Sequence, residues 1–193
     1  MGKFKFITTP IEGVVIVEPT VFGDSRGYFM ETYNKEEFEA AGIKCSFVQD
    51  NESLSRKGIL RGLHMQRRFP QAKLVRVVSG EVFDVCVDAR PQSPTFGKWY
   101  GVILSEENRR QFFIPRGFLH GFLVLSETVV FAYKCDDFYR PDDEAGLIWN
   151  DLEIGIEWPL EGIDRPLLSG KDARYGGWDA FMGCLQRELM INR

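Results

Sequence analysis

Only two histidines occur in this 193-residue chain, His64 and His120, and they bound its acid–base chemistry. Imidazole is the side chain whose ordinary proton exchange falls near neutral pH. His64 sits among Arg61, Gly62 and Gln66, a polar, loop-like setting, whereas His120 follows an apolar run. Tight zinc or iron sites want three or four firm protein ligands, so two imidazoles without a third nearby disfavour such a centre. Both rings are then free to move protons. Taken alone, a histidine in an apolar run is more often a hydrogen-bonded core residue than a catalyst, and only its context decides.

The elements that must hold these side chains read as short strands. Val14–Val17, Lys73–Val78, Glu81–Asp88, Gly101–Leu104, Arg110–Ile114, Gly121–Leu125 and Val129–Cys135 are apolar runs separated by turn-forming residues. Their even spacing, with no helix between them, points to an antiparallel sandwich or barrel rather than alternating strands and helices. Ser79-Gly80 reads as the two-residue loop of a hairpin that sets Val78 opposite Glu81 and Val77 opposite Val82. In that register Lys73, Val75 and Val77 share a face with Val82, Asp84 and Cys86. If the face lines an interior, a lysine and an aspartate project inward. If it is solvated, both are surface charges, and the opposite face (Phe83, Val85, Val87) is at least as apolar. Helices are expected only at the periphery: Asn34 to Ala41, with Asn34 as N-cap, and Trp178 to Leu189, apolar at Phe181, Leu185 and Leu189.

Composition narrows the class. A hydrophobic share of 44% and a charged share of 27% suit one globular domain over residues 1–193, and the 16 phenylalanines suit a wide β interior. A net charge of -4 argues against nucleic-acid binding. No apolar run is long enough for a membrane span, and the N-terminus does not read as a signal peptide. Cys45, Cys86, Cys135 and Cys184 lack the close spacing of a metal or redox motif and are read as reduced thiols of a cytoplasmic protein.

Pro115-x-Gly117-x-x-His120 is the pattern of the second block of cupin barrels. In His64-Met65-Gln66, an amide stands where metal-binding cupins usually carry a second histidine. The wider set of blocks resembles the dTDP-4-dehydrorhamnose 3,5-epimerase family. Gly23–Glu31, Gly58–His64, Lys73–Glu81, Ile114–Phe122, Phe131–Cys135 and Leu168–Asp172 follow that family's order and spacing over roughly Ile7 to Asp172. The resemblance implies an all-β, cupin-type double-stranded β-helix, or jelly-roll barrel, with short peripheral helices. It also implies a cytoplasmic homodimer acting in activated L-rhamnose synthesis.

The substrate so implied is a dTDP-linked sugar with a ketone at C4, which acidifies the C–H bonds at C3 and C5. Inversion needs proton removal, an enolate and reprotonation on the other face, with no redox cofactor and no metal. By resemblance His64 is the base, Asp172 the carboxylate that supports its imidazolium, Lys73 the positive partner of the enolate oxygen and Tyr133 the proton donor. Asp84 and His120 would hydrogen-bond the sugar or support residues that do. Arg26 and Arg61 suit phosphate or polar contacts, and Glu31, Gln49, Asn51, Glu144 and Lys171 match binding positions. Phe22 or Phe29 would stack on thymine, from this chain or a partner subunit.

Met65 departs from the family's usual tyrosine, and residues 173–193 form an extension that no block covers. Three rival readings remain: an epimerase that inverts a single carbon, a non-catalytic sugar-nucleotide-binding module on the same barrel, and a metal-dependent cupin oxygenase.

Overall fold

The computed structural model describes residues 2–191, with side chains through Leu185. Strands β1 (Phe4–Thr8) and β2 (Val15–Pro19) lead into a small hairpin of β3 (Val21–Asp24) and β4 (Gly27–Met30). The short helix α1 (Lys35–Ala40) follows, and the Asn34 side chain caps it by accepting the N–H groups of Glu36 and Glu37. Next come β5 (Gln49–Arg56), β6 (Leu60–Gln66), β7 (Lys73–Ser79), β8 (Glu81–Asp88), β9 (Trp99–Ser105), β10 (Gln111–Ile114), β11 (Phe118–Val124), β12 (Thr128–Cys135) and β13 (Glu144–Gly146). A C-terminal helix, α2 (Trp178–Ile191), ends the described chain.

Two antiparallel sheets face each other. One has the order β1-β2-β10-β7-β12-β5 and the other β13-β6-β11-β8-β9. Phe112, Phe122 and Phe131, with Val75, Val77, Val82 and Cys86, fill the space between them. This is the cupin-type jelly roll. Each fully buried phenylalanine contributes about 1.5–3 kcal/mol of transfer free energy.

The expected pairing of β7 with β8 is not formed. β7 lies between β10 and β12 in one sheet, and β8 lies between β11 and β9 in the other. Ser79-Gly80 is therefore a corner where the chain changes sheets. The pairing fails because each strand buries both faces and takes its neighbours from elsewhere in the chain. The facing set was nevertheless right: Val75, Val77, Val82, Asp84 and Cys86 all point inward because the two strands confront each other across the core. The ambiguity over β8 also has a cause. Val85 and Val87 belong to a second core on the outer face of that sheet, beneath Trp158, Trp178 and Phe181.

The tail beyond Asp172 thus packs on the barrel, with Trp178 and Phe181 buried. Leu185 packs against the same cluster, while Leu189 lies outside the residues whose side chains are described. A third core, under α1, gathers Phe4, Phe38, Leu74 and Phe113. Cys45, Cys86 and Cys135 are free thiols, with Cys86 and Cys135 buried.

Gly80 makes the sheet-crossing corner possible. Its φ is +86°, and a Cβ there would fall 2.2 Å from the Thr128 carbonyl oxygen. Gly80→Ala is expected to lower unfolding free energy by about 1–3 kcal/mol, through strain and the clash together. The urea midpoint measures this, and an unchanged midpoint would contradict the account of the corner.

Candidate active site

Between the sheets lies a cavity of about 580 Å³ whose wall includes Arg61, His64, Lys73, His120, Tyr133 and Asp172. A second compartment, about 230 Å³, is lined by Gln49, Asn51, Tyr139 and Glu144 among others. His64, Lys73, Tyr133 and Lys171 border both.

The two histidines come from one sheet, where His120 of β11 stands directly opposite His64 of β6. Arg61 and His64 are three positions apart, which in a regular strand would send them to opposite faces. The β6–β11 ladder instead shifts register between His120 and Phe122, so that Arg61 and His64 both reach the cavity. Gly62 sits in this irregularity with φ of +104°, and a Cβ there would come 2.5 Å from the His120 carbonyl oxygen.

Lys73 and Tyr133 come from the facing sheet. Tyr133 pairs with Val75 and Cys135 with Lys73, so the lysine and the phenol are diagonal neighbours on the inward surface. On the next strand Gln49, Asn51, Ser53 and Ser55 alternate inward while Asp50, Glu52 and Leu54 are exposed. Arg61 Nε donates to Ser55 Oγ at 3.1 Å, linking the two sheets at the cavity wall.

Asp172 arrives on a separate segment. Leu167 bridges Ile59 in parallel, and the Leu60 N–H donates to the Leu167 carbonyl, which ties this segment to the start of β6. The Gly62 N–H lies 3.5 Å from Asp172 Oδ2, and the buried Oδ1 has no hydrogen-bond partner. His64 and Asp172 share the cavity wall without a hydrogen bond between them.

His120 Nε2 lies 3.0 Å from both carboxylate oxygens of Asp84, and both residues are buried. Burial pushes the Asp84 carboxyl up, and His120 and Lys73 oppose that rise. Burial lowers the Lys73 ammonium, against the pull of Cys135, Asp84 and Glu144. Burial raises the Tyr133 phenol, so it holds its proton at neutral pH. For His64, burial and the neighbouring Lys73 ammonium draw the imidazole down to about 3, which keeps it neutral with a ring nitrogen free to accept a proton, though as a weaker base than an exposed imidazole.

Gln66, at the position a metal-binding cupin gives to histidine, spends its amide on structure. It donates to the carbonyls of Phe69 and Phe138 and accepts the Arg140 N–H. Among the described residues, no group of three or more His, Cys, Asp or Glu is placed to hold a metal ion. Met65 packs into the outer core and also borders the second compartment.

Three expected binding residues do not line the cavity: Asp84 is buried behind His120, and Arg26 and Glu31 lie elsewhere. Arg26 projects from the β3–β4 hairpin and pairs with Asp24, while Glu31 pairs with Lys3. Phe22, Tyr28 and Phe29 of the hairpin are exposed, and Arg109 from the loop between β9 and β10 lies over the Tyr28 ring. Conversely, Ser53, Ser169 and Tyr175 were not among the expected residues. The alternation of polar side chains over Gln49–Ser55 could have revealed Ser53, but Tyr175 carries no comparable signal.

A jelly roll with a neutral imidazole on one inner wall and an ammonium and a phenol on the other is an acid–base enzyme of the cupin type. The chain belongs to the dTDP-4-dehydrorhamnose 3,5-epimerase family, whose model matches residues 8–179. A dTDP-4-dehydrorhamnose 3,5-epimerase from Methanothermobacter thermautotrophicus is 54% identical over 175 residues, covering 91% of this chain and 95% of the relative. Its counterpart from Shigella flexneri is 58% identical over 168 residues, covering 86% of this chain and 91% of the relative. The dTDP-6-deoxy-D-glucose-3,5-epimerase of Legionella pneumophila, solved in complex with dTDP-4-keto-L-rhamnose, superposes with a TM-score of 0.90 at 49% identity. That likeness spans 94% of this chain and 96% of the other.

The depressed His64 pKa has a consequence for stability. Between the ordinary value of 6.5 and about 3 the unfolded chain binds a proton at His64 that the folded chain does not. Stability therefore falls as pH drops through that window. A His64→Asn variant is expected to lose less stability than the parent between about pH 7.5 and about pH 5, compared by urea unfolding. Equal losses in the two proteins would contradict the assignment.

Proposed function

We propose that the chain inverts C3 and C5 of dTDP-4-dehydro-6-deoxy-D-glucose to give dTDP-4-dehydro-L-rhamnose. The observation that carries this reading is the placement of His64 and Tyr133 on opposed sheets bordering one cavity. Sheets packed face to face lie about 10 Å apart, room for a flat enolate with a proton-accepting group on one face and a proton-donating group on the other.

In this mechanism neutral His64 removes the proton from the carbon beside the C4 ketone, and the C–H electron pair moves into the enolate with charge on its oxygen. The Lys73 ammonium stabilises that oxygen. Tyr133 then delivers its phenolic proton to the opposite face of the carbon. Its phenolate regains a proton from solvent, and His64 returns its own to solvent, so each turnover balances without a redox partner. The second carbon follows by the same steps. Asp172, with one carboxylate oxygen unpartnered in the cavity wall, supports the imidazolium.

Gln49, Asn51, Arg61, Glu144 and Lys171 bind the sugar nucleotide around the two compartments, and the Asp84–His120 pair braces His64 across the ladder. We assign Arg26, Glu31 and an aromatic of the exposed hairpin, Phe22 or Phe29, to the nucleotide site of a second copy in a homodimer. The setting is cytoplasmic, and no described helix is long and apolar enough to cross a membrane.

Incubation with the 4-keto sugar nucleotide in heavy water is expected to place deuterium at both C3 and C5. His64→Ala should slow this exchange by about 10²–10⁴-fold. Tyr133→Phe should slow inversion more than proton loss. Label at one carbon only would make the chain a single-carbon epimerase, and undiminished exchange in His64→Ala would overturn the role given to His64.

A further inference from the structure

Glu144 is nearly buried, with only 9% of its side chain exposed, and both of its carboxylate oxygens are engaged. Oε1 accepts from Lys171 Nζ at 2.6 Å and from the Tyr175 hydroxyl, while Oε2 accepts from the Tyr139 hydroxyl at 3.1 Å. Lys171 and Tyr139 border the second compartment, but Tyr175 does not. It stands behind the carboxylate. Its ring is seated on Gly146, where a Cβ would come within 2.3–2.5 Å of three ring carbons. Gly146 is the residue of β13 that pairs with His64 of β6. Tyr175 therefore touches the site twice, through the backbone that pairs with His64 and through the carboxylate next to it.

We propose that Tyr175 is a positioning residue, which fixes the Glu144 carboxylate against the His64 side of the cavity from the segment C-terminal to Asp172. Only the kinetic consequence depends on the epimerase reading; the placement of the carboxylate stands without it.

The electrostatics agree with this geometry. Burial pushes the Glu144 carboxyl up, but the hydrogen bonds from Lys171 and Tyr175 and the Lys171 charge work against it, and the group stays below its ordinary value. Lys73, Tyr133 and Tyr139 are the other titratable groups that feel its charge. Burial and the hydrogen bond to Glu144 raise the Tyr175 phenol well above its ordinary value, so it stays protonated and meets the carboxylate as a donor. Removing that hydroxyl while keeping the ring leaves the seat on Gly146 intact and takes away one of the three donors.

The test uses Tyr175→Phe, which a purely packing role would tolerate. Carboxyl-carbon NMR of Glu144 in the full chain should show its titration moving up by about one pH unit in Tyr175→Phe. An unmoved titration overturns the proposal, whatever the enzyme's substrate proves to be. In steady-state kinetics on the 4-keto sugar nucleotide, kcat/KM should fall about tenfold, mainly through KM, as expected for loss of a hydrogen bond to a charged group. In a Glu144→Gln background the same change should add nothing, because the hydroxyl acts through that carboxylate. An active parent with Tyr175→Phe kinetics within about twofold of it, or full additivity with Glu144→Gln, would count against the proposal. Absence of deuterium exchange in the parent would instead defeat the epimerase reading alone.

Discussion

Two antiparallel sheets that confront each other across one interior impose the constraint from which the rest of this molecule follows. Side chains alternate along each strand, so every strand sends half of its residues into the shared space, and that space must be filled or used. At one end it is filled, with Phe112 packed among valines, and Phe122 and Phe131 sit at the boundary, where they also line the cavity. At the other the same inward positions carry His64, Lys73, His120 and Tyr133, and a cavity remains. The division into packed core and reactive pocket is thus made along individual strands. β7 contributes Val75 and Val77 to the core and Lys73, at its other end, to the pocket.

Polar groups inside such a space are costly unless paired, and the pairs found here sort the site into fixed and free members. Asp84 and His120 hold each other, and Glu144 is held by Lys171, Tyr139 and Tyr175. Gln66 is held by the loops on either side of it. His64, by contrast, is left neutral by burial and by the charge of Lys73, and Tyr133 keeps its proton. A neutral imidazole and a protonated phenol on opposite walls, among held partners, match the acceptor and donor that the proposed inversion of a carbon acid needs. Preorganisation of this kind lowers barriers because the dipoles need not turn as charge develops.

Much of the architecture was legible from the residues alone. Seven apolar runs became strands with ends shifted by at most a few residues, the Asn34 cap starts α1, and the inward set of β7 and β8 was correctly grouped. Strands lacking an apolar signature escaped. Gln49–Arg56 is polar on both faces because its inner face lines a cavity and its outer face is exposed, and Leu60–Gln66 is interrupted by Gly62 and a register shift. The supposed hairpin failed for a related reason: a two-residue turn between apolar runs looks the same whether the chain folds back within a sheet or crosses to the opposite one.

Sequence by itself determined the chemistry available: two imidazoles, an amide at the usual metal-ligand position, and motif blocks in an order that identifies the family, because residue types and spacings are one-dimensional properties. Tertiary structure alone decided which side chains meet. It set His64 and Tyr133 on opposed walls and sent Arg26 out on a hairpin. It also brought Tyr175, from a segment without any motif, up against Gly146 and Glu144. Those outcomes depend on which strands pair and where a ladder slips by one residue, and such choices follow from long-range packing that no local pattern encodes.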